Sequence, residues 1–394
     1  MKEFTSVKFP ITARFGRFLL GKIALPRRYS EPDEKRLLKR FWQSASGYWK
    51  GRGAWRARAL LATMIVTMIL QLAVQYRINF WNRDFFNAIE QRLGAEIWAQ
   101  TLRFLPLAAA SLALAVLSVW GRMTLQRNWR EWLSNHLYDY WLENDRHRRL
   151  RFTLGDHQTP EYRIAEDARV ATDLPIDLGL GLFLSMLTAI TFIGVLWSVG
   201  GNLEFAIFGL NLFVPGYLVI AVVFYSALLT AGMLLVGRHL VHVLEENKRA
   251  EAELRAVGAH LRESGEGTAI SGGGDGRQLI GAALKDVIAW WLAYCWQLMR
   301  MTVVSHGNTL LTPVVGLLVC MPKYLAGSMN LGEVVQVAAA FGIVQNAFNW
   351  ITDSYARLAE WASSANRVAA LLLSLDEIDR PAGSEPDAGS EATD

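Results

Sequence analysis

Carboxylates at helical spacing are the residues of this chain best suited to chemistry, and the chemistry they suit is proton exchange or gating. Glu166, Asp173 and Asp177 fall within about 40° of one another on a helix, despite Pro175 between them. Glu245 and Glu246 share a helical face with Arg238, His242, Arg249 and Glu253, and Glu251 shares another with Lys248 and Arg255. Charges in that pattern serve either as i,i+4 salt bridges on a solvated helix or, at the mouth of a wet cavity, as carboxylates that exchange protons.

Amides form two further stripes. Thr67, Gln71, Gln75, Asn79 and Asn82 recur at i+3 or i+4, and Gln345, Asn346, Asn349 and Asp353 lie within an arc of about 100°. Individual amides in apolar helices join neighbouring helices by hydrogen bonds worth about 1 kcal/mol. Several on one face, beside an acidic stripe, predict a cavity lining, because the same stripe turned to lipid is costly.

Other chemistries lack their residues. His242 and His306 belong to no metal-ligand spacing, and no Ser-His-Asp constellation has a recognisable context, so neither an enzyme nor a metal site is expected. Cys295 and Cys320 stand among apolar and aromatic neighbours and read as buried thiols. No G-x-x-x-x-G-K-[ST] string occurs, and SGGGDG at Ser271 to Gly276 lacks the lysine that reaches a phosphate. No cofactor and no nucleic acid are expected.

The elements that position these residues are apolar and long. Hydrophobic residues make up 52% of the 394, with 15 Trp and 18 Phe, which predicts a bilayer rather than water as solvent. Six segments approach the roughly 20 residues that span a membrane: Ala59 to Ile78, Phe104 to Trp120, Leu178 to Val199, Phe205 to Val236 with Pro215-Gly216 as an entry or kink, Met301 to Met321, and Leu331 to Ile351. The fold class is therefore an all-α integral membrane protein with six transmembrane helices.

Basic residues set its orientation. Fifteen Lys and Arg precede the first span, nine lie between Gly121 and Asp173, and seven between Gly237 and Cys295. Both termini and both long connections are expected in the cytoplasm. Those connections are helical extensions of the spans that reverse near Gly155 to Glu161 and Glu263 to Gly276. The expected organisation is a basic cytoplasmic segment at 1–58, the six-span domain at 59–351, a cytoplasmic helix at 352–376 and a disordered acidic tail at 377–394. With only that tail after the last helix, no ATPase domain is expected within the chain.

Particular strings resemble a known family. They are INFWNRDFFNAIEQR (Ile78 to Arg92), RIAEDARVATDLPIDLGLGL (Arg163 to Leu182), LTAITFIGVLW (Leu187 to Trp197), ENKRAEAELRAVGAHLRESGEGTAI (Glu246 to Ile270) and the run from Leu325 to Asp376, within which RLAEWASSANRVAALL is the most specific. They resemble the membrane domain of the ABC transporter subfamily D type, an ABC type 1 half-transporter, and the related SbmA/BacA peptide-uptake transporters. The resemblance runs from about Phe41 to Asp376.

It implies a homodimer in a bacterial inner membrane, twelve spans around one cavity. In the SbmA/BacA branch it also implies proton-driven import of peptides or similar bulky hydrophilic solutes without an ATPase. It carries a coupling role to Glu251 and Glu166, with Asp177 a looser match. The wording lies closer to the ATP-driven members, and the extra N-terminal span of the SbmA/BacA type is not found. A permease served by a separate ATPase subunit is the alternative, with the two reversing tips as its contact surface. A membrane binding protein without transport is a third.

Overall fold

The computed structural model describes residues 31–51, 54–153, 160–207, 210–265 and 273–379. The first thirty residues of the basic segment, the tail from 380, and much of the two reversing tips lie outside the described residues. Helices dominate: α1 (Glu31–Ala45), the single turn α2 (Gly47–Lys50), α3 (Ala54–Glu90), α4 (Gly94–Leu142), α5 (Arg146–Thr153) and α6 (Pro160–Gly200) come first. After a hairpin of β1 (Asn202–Ile207) and β2 (Leu210–Pro215) follow α7 (Tyr217–Gly237), α8 (Leu240–Gly265), α9 (Gly273–Leu325) and α10 (Leu331–Ile378). Six helices are long and apolar enough to cross a membrane, so the chain is a multi-pass, all-α membrane protein.

One boundary differs from the sequence expectation. The fourth span does not begin at Phe205; residues 202–207 and 210–215 pair as antiparallel strands, Asn202 opposite Pro215 and Ile207 opposite Leu210. Pro215 cannot donate to a ladder or continue a helix from below, and Gly216 turns the chain at φ +61° before α7 starts. The Pro215-Gly216 pair thus marks the helix entry, while the apolar run before it is hairpin. The last helix shows no break at position 352, and α10 is assigned as one helix from Leu331 to Ile378.

The chain folds as two compact units. One comprises Met1–Gln71, Ser111–Phe183 and Ser354–Asp394. Its core includes Leu37 and Phe41 from α1, Leu125, Trp129 and Leu133 from α4, and Leu371 and Leu372 from α10, all buried. Burying a side chain such as Phe41 contributes roughly 2 kcal/mol, and the Trp129 indole N–H fixes the end of α1 by donating to Ala45 O at 3.3 Å. The other unit comprises Leu72–Ala110 and Leu184–Asp353. Its core is built from Phe192 and Leu196 of α6, Leu218 and Val222 of α7, Cys320 of α9, and Val337 and Phe341 of α10.

Candidate functional site

In the first unit, the charged candidates of α6 meet arginines. At Arg163–Asp167 the helix widens into a single π turn, an insertion common at functional positions. Asp167, the last residue of that turn, lies in the interior, where its side chain is 2% exposed. Arg367 of α10 grips it: Nε donates to both carboxylate oxygens at 2.9 Å and Nη2 to Oδ1 at 2.6 Å. The guanidinium also donates to Ser363 Oγ at 2.6 Å and Ser364 Oγ at 2.9 Å. Neither Asp167 nor Arg367 stood out from helical spacing.

Glu166, the neighbour that spacing did single out, is half exposed and accepts from Arg169 Nη2 at 2.5 Å. Arg169 also lies 3.7 Å from Asp173. Two turns into the regular helix, Asp177 takes three partners. Arg357 Nη2 donates at 2.6 Å, Gln126 Nε2 at 2.7 Å, and Arg122 Nε stands 3.7 Å away. Gln126 donates as well to Asp173 O at 3.0 Å, tying α4 to α6. Asp177 therefore joins α6 to α4 and α10, while Glu166 and Asp173 pair with Arg169 inside α6.

A second charged cluster holds the end of α10. Asp376 accepts from Arg40 Nε at 2.7 Å and Nη2 at 2.9 Å, and from the Tyr140 hydroxyl. The Asp376 carboxylate raises the Arg40 guanidinium above its ordinary range, while burial raises the Tyr48 hydroxyl nearby in sequence. Arg146, also stacked 4.1 Å from the Tyr140 ring, pairs with Asp379 at 2.5 Å.

Five of the polar candidates of these stripes, Thr67, Gln71, Asn79, Gln345 and Asn349, are engaged in hydrogen bonds. Within the first unit Thr67 bonds back to Thr63 O at 2.8 Å and Gln71 Nε2 donates to Ser111 Oγ at 3.2 Å. Within the second, Asn79 is buried and donates from Nδ2 to Gln336 O at 3.0 Å. Gln345, also buried, accepts from the Ser226 hydroxyl and donates to Asn349 Oδ1 at 3.1 Å. Gln75 and Asn82 are half-buried and Asn346 is exposed. Glu245 is exposed, Glu246 half-buried, and Glu251 accepts from Asn247 Nδ2 at 3.5 Å. No group of three or more His, Cys, Asp and Glu side chains among the described residues converges as a metal site.

Comparison with known proteins places this architecture. A family model described as ABC transporter transmembrane region 2 matches residues 51–325. The inner membrane ABC transporter ATP-binding protein YddA of Escherichia coli (strain K12) is 28% identical over 349 residues, covering 84% of this chain and 58% of its own. An uncharacterized ABC transporter ATP-binding protein of Synechocystis is 23% identical over 337 residues, with 83% and 48% covered. The chloroplastic ABC transporter D family member 2 of Arabidopsis thaliana is 22% identical over 349 residues, with 87% and 47% covered. The chain spans about half the length of these curated relatives.

Proposed function

The chain belongs to the ABC transporter transmembrane region 2 family, a membrane transporter domain of ABC type, and we propose that two copies form one translocation pathway for peptides or similar bulky hydrophilic solutes. The observation that carries the pairing is the exposed apolar length of α9. Large apolar side chains stand exposed along it from Leu279, Leu284 and Ile288 through Trp291, Leu292 and Trp296 to Leu325. That stretch is about 70 Å of helix at 1.5 Å per residue. Bilayer hydrocarbon covers about 30 Å. A second copy supplies the rest of the cover.

ATP hydrolysis is the energy source this reading favours, supplied by a nucleotide-binding domain or subunit docked on the reversing tips between α5 and α6 and between α8 and α9. The names of the relatives support it over proton coupling, since they are ABC transporter ATP-binding proteins. Glu166, Asp173 and Asp177 each lie within 4 Å of an arginine, and those pairs give the carboxylates a structural use. The long, helical connections fit the same role, since they set such a motor on rigid extensions of the spans. A bacterial inner membrane with both termini cytoplasmic completes the reading.

Transport into proteoliposomes tests it. The purified chain, reconstituted with a candidate nucleotide-binding partner, is expected to move a labelled peptide only when ATP is present. Movement driven by an imposed pH gradient without ATP would overturn the choice of energy source and restore the proton-driven, SbmA/BacA-like reading.

A further inference from the structure

Where α10 begins, its first backbone N–H groups have no partner within their own helix. Glu333 of α10 reaches back to the Asn330 N–H at 3.0 Å, half of a capping box. The next two donors are taken by α3 instead: Leu331 N donates to Glu90 Oε2 at 3.1 Å and Gly332 N to Asn87 Oδ1 at 2.9 Å. The backbones nearly touch there, because a Cβ added at Gly332 would fall on Arg83 O and on the Asn87 side chain. One turn deeper, Asn79 of α3 donates to Gln336 O. Three helical levels of α3, at residues 79, 87 and 90, thus hold the first six residues of α10.

We infer that this junction is a gate of the transport cycle, closed here by Asn87 and Glu90 and opened when the start of α10 leaves α3. The upper bonds suit reversible opening. Both are made at the exposed or partly buried end of the helix, where water replaces the lost acceptors as α10 moves away. The layer beneath gives opening something to gain. Gln336 is 0% exposed, and neither its Oε1 nor its Nε2, nor Asn79 Oδ1, has a hydrogen-bond partner among the described residues. Buried amides left in that condition disfavour the closed arrangement, and separation of the helices solvates all three atoms. The junction therefore joins a closing contact that water can exchange to a polar layer that favours opening.

The gate rests on the transporter reading, so its test includes a readout that needs no cargo. With Cys295 replaced by Ser and the buried Cys320 left in place, Gln336→Cys is exposed to a water-soluble maleimide in nanodiscs. Slow labelling is expected, rising about ten-fold when N87A/E90A removes both acceptors. Equal rates with and without those acceptors would overturn the gate. E90C/L331C, which keeps Gln336, provides a second route: oxidation is expected to stop peptide uptake and reduction to restore it. Undiminished uptake by the cross-linked protein would also overturn the gate. A junction that opens in a protein that moves no peptide refutes the cargo assignment and leaves the gate standing.

Discussion

Removal of Arg367 is the perturbation whose magnitude the structure fixes best. Asp167 is a carboxylate enclosed by protein at the π turn of α6, and among the described residues its hydrogen-bond partners are the nitrogens of Arg367. Arg367→Met leaves that charge buried without compensation, which costs about 3–5 kcal/mol. The reverse change is milder. In Asp167→Leu the guanidinium, 39% exposed, keeps water and the hydroxyls of Ser363 and Ser364, so the loss is about 1–2 kcal/mol. In the double variant no charge is stranded, and the pair of apolar residues is expected within about 1 kcal/mol of the parent. Unfolding entropy of about 2.1 cal/mol/K per residue gives roughly 0.8 kcal/mol/K for a chain of this length, so Arg367→Met lowers Tm by about 4–6 °C. Thermal unfolding in detergent, followed by tryptophan fluorescence, measures all four proteins under one condition. A double variant no more stable than Arg367→Met would refute the reasoning, because it would show that the arginine stabilises by something other than its partner's charge.

Two glycines separate rigid from yielding contacts. Gly332→Ala pushes on the Arg83 carbonyl and is expected to destabilise by about 1–3 kcal/mol, whereas Gly121→Ala meets only the flexible Met64 side chain and is expected to cost less than about 1 kcal/mol; paired Tm measurements read the difference. Trp291→Glu with Leu292→Glu places charge in the exposed flank of α9. Light scattering on the purified protein is expected to show a shift from dimer to monomer, and an unchanged dimer would move the pairing surface elsewhere.

Hydropathy made the six spans legible because length and apolar composition are local properties. The start of the fourth span was not, since a short apolar run before Pro215 satisfies strand and helix periods alike. Residues 202–207 and 210–215 took the strand solution. Angles on an ideal helix grouped Glu166 with Asp173 and Asp177, yet could not foresee the π turn at Arg163–Asp167 or that its buried carboxylate is Asp167. Partners across some 200 positions are equally invisible to periodicity. A signal did exist: Arg367 stands as a lone charge in SSANRVAALLL, where small and apolar residues predict burial and therefore a carboxylate to meet it. For the amides, spacing identified the polar faces but not their use. Asn79, Gln71 and Gln345 bond to protein groups, and only packing determines that.

The length of α9 has a mechanical meaning. At 53 residues it is a rod of about 80 Å, far longer than the membrane it crosses. A tilt of about 10° at one end displaces the other by about 14 Å, if the rod stays straight. Pro313 and Pro322, both near the same end, are the positions where it can bend instead. Motion entering at the Gly273 end therefore meets some 40 residues of unbroken leverage before the first joint, and a displacement of a few ångströms there is transmitted as rotation rather than absorbed as strain.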